Sequence, residues 1–449
     1  MRAILIGAGS AGRDLAVRLY KEKHDVVVVD RDPAVLSHLQ DELDIQTVVG
    51  HGASPAVLKR AGIAEAELLV AVTDCDEVNL LACVCAKTAG VSFRVARVSN
   101  LDVRTDSDLL RLAELGVDLA INPKEECAVE LAYMLQLPGA EEVIDLLQGR
   151  VLALGFKVSA DSPLLRQTLK DCLPQEILKT VRFIALQHGG ELSIPFGDAR
   201  FMVGDDLYVV GQPDALPALM DVVYPDRPRI AKAIIAGGGS LGLSLARQLE
   251  PSGLDIVLIE SDARTADTCS SVLDRALVLH GDAMSPETLE NAGIGENTAF
   301  VSTTGSDENN IIMCLLAQKA GASFTVGSVS KPDYVPIINN LSLLDRAVSP
   351  HLSMMNSILH FIRGRNVRAA TLFHTLPGEL LEIVVDTGHV WAGRAVRDLG
   401  MPKGTILATM ERSGEVLVPT GDTLLGVGDR LVVFALPGAV KKLAHIINA

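Results

Sequence analysis

Aromatic residues are scarce in this sequence, at 4% overall, with Trp391 the sole tryptophan. A protein that binds nucleic acid by stacking bases would carry more of them. Positive charge is also in deficit. Forty Lys and Arg stand against 56 Asp and Glu, a formal net charge of −16. That balance disfavours a nucleic-acid backbone or an anionic lipid surface as a direct partner. No apolar run approaches the roughly 20 residues needed to span a bilayer. Met1-Arg2 leads straight into a strand-like run, leaving no room for a secretory leader. The seven cysteines are scattered and odd in number. They read as reduced thiols, mostly in the core of a cytoplasmic protein. Cys83 and Cys85 would face different sides of a helix and make a poor metal pair. H-E-x-x-H, H-x-H, G-x-S-x-G and Walker patterns are all missing, so no catalytic or metal residues are assigned.

What is present is a glycine loop, twice. Ile4-Leu5-Ile6 runs into Gly7-Ala8-Gly9-Ser10-Ala11-Gly12, and Ile234-Ile235-Ala236 runs into Gly237-Gly238-Gly239-Ser240-Leu241-Gly242. Each copy reads as strand, G-x-G-x-x-G, helix. The first glycine permits a tight turn, the second leaves room for a pyrophosphate, and the third lets the helix pack on the sheet. Free N–H groups at the helix start favour a phosphate. Asp30, 18 residues after Gly12, ends a second strand of four valines and suits ribose hydroxyls. An acid there selects against a 2′-phosphate and so favours NAD or an adenine nucleotide over NADP. Glu260 takes the same place in the second copy.

The alternation continues. Helices are expected from Ser10 to Lys23, from Asp32-Pro33 to Leu43, and from Ser54-Pro55. Strands are expected at 47–49, 68–72 and 94–98, with a helix from 77 to 88. This predicts an α/β fold with an open, doubly wound parallel sheet, closed by last helices ending near Leu135. Residues 151–211 change character. Short runs at 151–154, 183–186, 201–203 and 206–210 alternate with Gly-Asp and Gly-Gly turns. They predict a small strand-rich α+β domain. After Pro225-Asp226-Arg227-Pro228-Arg229 the whole pattern starts again, 224 to 231 residues on. The expected domains are 1–135 and 230–365 (Rossmann-like), and 136–225 and 366–449 (small α+β). Pseudo-twofold pairing of the halves follows from the duplication.

The copies differ. Arg97 aligns with Ser328, so only the first half has a strand-end cation able to meet a phosphate. His51 aligns with Asp282. The two pockets should therefore differ in affinity or ligand. Asp74-Cys75-Asp76-Glu77 and Asp307-Glu308 could contact a ligand or a cation, or could serve the starts of their helices. His51 and His280 lie in sheet-end loops, where a surface role is the ordinary one.

Together these residues resemble the tandem RCK family, regulators of K+ conductance found in Trk-type potassium uptake. The resemblance covers nearly the whole chain. It includes Gly7 to Gly12, Asp30, Ala71-Val72-Thr73-Asp74-x-Asp76-Glu77-x-Asn79, Ala96-Arg97-Val98, Glu260, and the proline-opened helices at Ile121-Asn122-Pro123-Lys124-Glu125 and Val348-Ser349-Pro350-His351. It implies a non-enzymatic regulatory subunit on the inner face of the membrane. Such a subunit assembles as a homotetrameric ring beneath a TrkH- or TrkG-type channel, with no insertion into lipid. It also implies NAD(H), ATP or ADP as regulatory ligands. Their contacts would fall on Gly7 to Ala11, Asp30, Thr73, Asp74 and Arg97, and on Gly237 to Leu241, Glu260, Thr304 and Asp307. Alternatives are a regulator of a potassium efflux or antiport system and an NAD-dependent oxidoreductase. The small domains are too alike and too small to favour the latter.

Overall fold

The computed structural model describes residues 1–100, 111–147, 149–225, 227–341, 343–363, 370–372 and 378–447. The expected boundary at 365/366, Asp226 of the linker and the last two residues lie outside these.

Four sheets follow one another along the chain. The first contains β1 (Arg2–Ile6), β2 (Asp25–Asp30), β3 (Gln46–Val49), β4 (Leu68–Ala71), β5 (Phe93–Arg97) and β6 (Leu119–Ile121), in spatial order 3-2-1-4-5-6. All its pairings are parallel. The second holds β7 (Glu142–Leu146), β8 (Val151–Lys157), β9 (Val181–His188), β10 (Glu191–Ser193) and β11 (Asp206–Gly211), all antiparallel. The third repeats the first with β12 (Lys232–Ala236), β13 (Asp255–Glu260), β14 (Leu277–His280), β15 (Thr298–Ser302), β16 (Phe324–Ser328) and β17 (Arg346–Val348). The fourth is again antiparallel, with β18 (Ala370–Leu372), β19 (Glu379–Val384), β20 (Thr405–Arg412), β21 (Glu415–Leu417) and β22 (Arg430–Ala435). The parallel strands read as unbroken Val/Ile/Leu runs because helices cover both faces. Val26 to Val29 are all at most 2% exposed.

Three details differ from the sequence reading. β7 and β10 form where no strand was expected. Each parallel sheet gains a sixth, three-residue strand, β6 and β17. Residues 201–203 form no strand. Phe201 is buried, but Met202 and Val203 are exposed in a turn held by Asp205, whose carboxylate accepts the Met202 N–H at 2.8 Å.

Six helices matter for the site: α1 (Ser10–Lys21), α2 (Asp76–Thr88), α3 (Pro123–Gln136), α4 (Ser240–Leu249), α5 (Asp307–Lys319) and α6 (Pro350–Arg363). The helix expected to close the first unit, α3, crosses to the second. Its apolar face, Cys127, Ala128, Leu131, Ala132 and Leu135, packs with Ala233, Ile235, Leu241 and Leu245 of the second half. Reciprocally, Met354, Met355, Ile358, Leu359 and Ile362 of α6 pack with Ala3, Leu5, Leu15 and Val28 of the first half. Each half thus completes the other's core by exchange of one helix. The pseudo-twofold pairing is built from this exchange.

Where the exchanged helices meet, hydroxyls of one serve carboxylates of the other. Ser353 Oγ donates to Glu130 at 2.6 Å and Ser357 Oγ donates to Glu126 at 2.7 Å. The two small domains also pack together. Ile144, Val151, Ala153 and Tyr208 share a core with Leu380, Ala408, Val432 and Phe434. Arg150 is paired with Glu411, and the Leu147 N–H donates to Glu382 at 3.0 Å.

Burial pushes the Glu130 carboxyl above the usual carboxylate range, partly offset by the Ser353 hydroxyl. The native state therefore holds this proton more tightly than the unfolded chain. That stabilisation is full below the unfolded carboxylate pKa and is lost as pH rises through the raised native value. Glu130→Gln should flatten this decline, measured as melting temperature from about pH 4 to about pH 8.

Candidate functional site

The strand order reverses between β1 and β4, and the crevice at that reversal is where doubly wound sheets bind ligands. The loop after β1 fills it. Gly7 N–H donates to Val29 O at 2.9 Å, and Gly237 N–H donates to Ile259 O at 2.8 Å. Gly7 and Gly237 hold φ of 100° and 108°, values that favour glycine. A Cβ on Gly12 would lie 1.8 Å from Gly7 O, and one on Gly242 would lie 1.9 Å from Gly237 O. These two glycines are demanded by the packing of helix on loop. Gly9 and Gly239 are different, because a Cβ on either meets nothing within 4 Å. The protein itself does not require glycine there, so the empty space is what distinguishes these positions.

Gly9 and Gly239 are also the N-caps of α1 and α4, and neither helix start receives a side-chain cap. The first-turn N–H groups are left for an anion. The acid at the end of the second strand is already engaged with the loop. Asp30 accepts from the Ala8 N–H at 2.6 Å and from the Asp32 N–H at 2.9 Å. Glu260 accepts from Gly238 at 2.6 Å and from Asp262 at 2.8 Å. Glutamate is one methylene longer, and Gly238 makes the room for it. A Cβ at Gly238 would come within 3.2 Å of Glu260 Oε2 and 2.9 Å of Cys269 Sγ. Ala8 occupies this place in the first half.

A cavity of about 470 Å³ brings together Gly7, Gly9, Ser10, Ala11, Asp30, Thr73, Asp74 and Arg97. Ala8 and Gly12 lie buried beneath it. Its floor is fixed by Asn79, a residue whose role was not legible beforehand. Fully buried, Asn79 accepts the Thr73 N–H and hydroxyl at 3.0 and 2.7 Å. Its amide donates to Thr73 O and Arg97 O at 3.0 and 2.9 Å. Asn310 makes the same four bonds to Thr304 and Ser328. A single amide therefore sets the spacing of the fourth and fifth strand ends in each half.

The Arg97 guanidinium rests on Asp74 at 2.8 Å, with the Asp74 side chain 96% exposed. So exposed a partner contributes little stability and is readily exchanged for another anion. The second half has lost both members, with Gly305 and Ser328 in their places. Asp307 corresponds to Asp76, not to Asp74. Both of these carboxylates clasp the loop after the fifth strand. Asp76 accepts from Ser99 and Asn100, at 2.9 and 2.8 Å to Oδ2. Asp307 accepts from Ser330 at 2.8 Å and from Lys331 at 3.3 Å. His51 and Asp282 prove equivalent in use. His51 Nδ1 accepts from the Ala53 N–H at 3.2 Å, and Asp282 accepts from the Met284 N–H at 2.9 Å.

Two further residues enter from the exchanged helices. His351, at the start of α6, lines the first-half cavity. Lys124, at the start of α3, donates from Nζ to Ser240 Oγ in the second loop at 2.7 Å. No motif signals either contribution, because each comes from the opposite half. Burial pushes the Cys83 and Cys314 thiols up to about 12. Among the described residues, no group of three or more His, Cys, Asp and Glu is placed to hold a metal ion, and no helix is long and apolar enough to cross a membrane.

Duplicated glycine-loop sheets, each trailed by a small antiparallel domain, define a tandem RCK protein. The TrkA-N domain model matches residues 3–123 and 233–350, and the TrkA-C domain model matches 154–223 and 380–448. The chain belongs to the Trk system potassium uptake protein TrkA family, the regulators of Trk potassium uptake. It is 31% identical to the TrkA protein of Azorhizobium caulinodans, over 99% of this chain and 98% of that one. It is 30% identical to TrkA homolog 1 of Methanosarcina mazei, over 99% of both chains. In fold it is similar to the GsuK RCK domain, with a TM-score of 0.60 at 20% identity, covering 100% of this chain and 95% of that one. It is also similar to the GsuK channel bound to NAD, with a TM-score of 0.62 at 19% identity, covering 100% and 79%.

Proposed function

We propose that this chain is a cytoplasmic, non-enzymatic nucleotide sensor that gates a Trk-type potassium channel. NAD(H), ATP or ADP binds at the glycine loops. Gly7 to Ala11, Asp30, Thr73, Asp74 and Arg97 serve the first pocket. Gly237 to Leu241, Glu260 and Thr304 serve the second. Asp307 contributes by holding the loop at the pocket's edge. Chains assemble as a homotetrameric ring beneath a TrkH- or TrkG-type membrane subunit.

The observation that carries this reading is the pairing of two uncapped, unobstructed glycine-loop helix starts through exchanged helices. A ligand that prefers one arrangement of the helices shifts the ring toward it, and only differential affinity can do so. The solved GsuK channel bound to NAD shares this fold.

Calorimetric titration of the full chain with NAD, NADH, ATP and ADP tests the reading. Saturable binding without turnover is expected. Nucleotide-dependent oxidation or reduction of a substrate would overturn it. Arg97→Ala should weaken the first pocket about tenfold or more, since a charge-assisted phosphate contact is worth roughly 1.5–3 kcal/mol. Ser328→Ala should leave the second pocket within about twofold, because a neutral hydroxyl replaces no charge. Equal losses would contradict the asymmetry.

A further inference from the structure

We propose that each nucleotide pocket is completed by a basic side chain delivered from the opposite half, Lys124 to the second pocket and His351 to the first. This rests on the nucleotide reading above and names the groups that meet the phosphates.

The second pocket carries the stronger case. Its strand-end cation is missing, with Ser328 where the first half has Arg97. Its phosphate loop is intact, and the start of α4 lacks a side-chain cap. Into this place comes Lys124, whose ammonium hydrogen-bonds the neutral Ser240 hydroxyl at 2.7 Å. Ser240 is the first residue of α4, where an incoming phosphate would take the backbone N–H groups. A charge lost from β16 is thus returned by α3, a helix that belongs in sequence to the other half. Arg97 and Lys124 reach their pockets from different elements but supply the same chemistry.

The first pocket mirrors this. His351 holds in α6 the position that Lys124 holds in α3, directly after the helix-opening proline. It lines the first cavity and stands within hydrogen-bonding reach of the Ser10 backbone. Its Nε2 is buried with no hydrogen-bond partner. Burial and the neighbouring Arg97 disfavour its charged form, while Asp14 of α1 opposes them. A phosphate beside Arg97 would neutralise the repulsion and favour the imidazolium.

The two contributions meet in one chamber between the halves. This cavity, of about 700 Å³, has Arg97, Lys124, Ser240, Arg247 and His351 on its wall, with Glu125 as the acid. In a chain of net charge −16, such a concentration of bases focuses potential on an anion. Phosphates in either pocket would then grip a helix rooted in the other half. Occupancy of one pocket would bias the other, and the effect must be reciprocal.

The test uses the full chain in two single-pocket backgrounds, Gly9→Asp to leave the second site and Gly239→Asp to leave the first. ATP and ADP are titrated by calorimetry at two salt concentrations. In the Gly9→Asp background, Lys124→Ala is expected to weaken binding roughly tenfold or more and to lower its salt dependence, and Lys124→Arg is expected to retain it. In the Gly239→Asp background, Lys124→Ala should change affinity less than about twofold, and His351→Ala should produce the loss instead. Melting curves check that each variant folds. A Gly9→Asp chain that binds nucleotide equally well with and without Lys124 overturns this proposal and leaves the functional reading intact. A parent chain that binds none of ATP, ADP, NAD and NADH overturns both.

Discussion

Gly9→Asp is expected to reduce nucleotide affinity at the first pocket by roughly a hundredfold or more, from about 3 kcal/mol of lost phosphate contacts, while the melting temperature holds or rises. The reason is that Gly9 is an N-cap with open space where its side chain would be. Aspartate there can accept from the first-turn N–H groups and favours the helix dipole. It takes the bonds a phosphate would take and presents a like charge to it. Gly12→Ala should do the reverse. Its methyl group would be driven to 1.8 Å from Gly7 O, and backbone cannot swing aside as a side chain can. A loss of about 3 kcal/mol or more is expected, at or beyond the upper end of overpacking costs. Parallel melting and calorimetry on the two variants separate the roles. If Gly9→Asp folds and binds nucleotide as tightly as the parent chain, the empty space above Gly9 is not a ligand site.

These two glycines also show how far the sequence could be read. The spacing of Gly7, Gly9 and Gly12 between a valine-rich sheet and a helix was enough to place the loop, and Asp30 and Glu260 followed from position alone. The duplication was legible because turn residues recur at fixed offsets. Other features depend on tertiary contacts that no local pattern encodes. The three-residue strands β6 and β17 are too short to show a period. Phe201 to Val203 is apolar enough for a strand, yet Asp205 folds it into a turn. Asp307 aligns with Asp76 in sequence, but only the tertiary contacts show that both carboxylates clasp a loop. Lys124 and His351 were visible only as the residues after two prolines.

The asymmetry between the halves gains meaning from the same comparison. Arg97 and Asp74 disappear together in the second half, so the change removes a local ion pair as a unit and strands no charge. His51 and Asp282 differ in chemistry and agree in use, each accepting the N–H two residues on. Of these departures, one removes the strand-end cation proposed to meet a phosphate and the other preserves a turn. Selectivity between ligands should therefore track Arg97, not His51.

Leu131→Ala should destabilise the protein by about 2–5 kcal/mol, and the damage should appear in the half to which Leu131 does not belong in sequence. Leu131 is fully buried in α3 against the second-half sheet. Ile358, its counterpart in α6, is buried against the first. The apolar stripes of the two helices fall at equivalent positions and face equivalent sheets. Periodicity therefore predicts that α3 is buried but not which half buries it. Amide exchange resolves the two cases. Leu131→Ala should lose protection in β12 and α4, with β1 and α1 little changed, and Ile358→Ala should give the opposite pattern. If Leu131→Ala loosened β1 and α1 instead, each half would be closing its own core. The exchange matters for sensing, because Lys124 rides on the same helix as Leu131. Loosening α3 in the second-half core should also weaken nucleotide binding at Gly237 to Leu241, with no change made in that pocket.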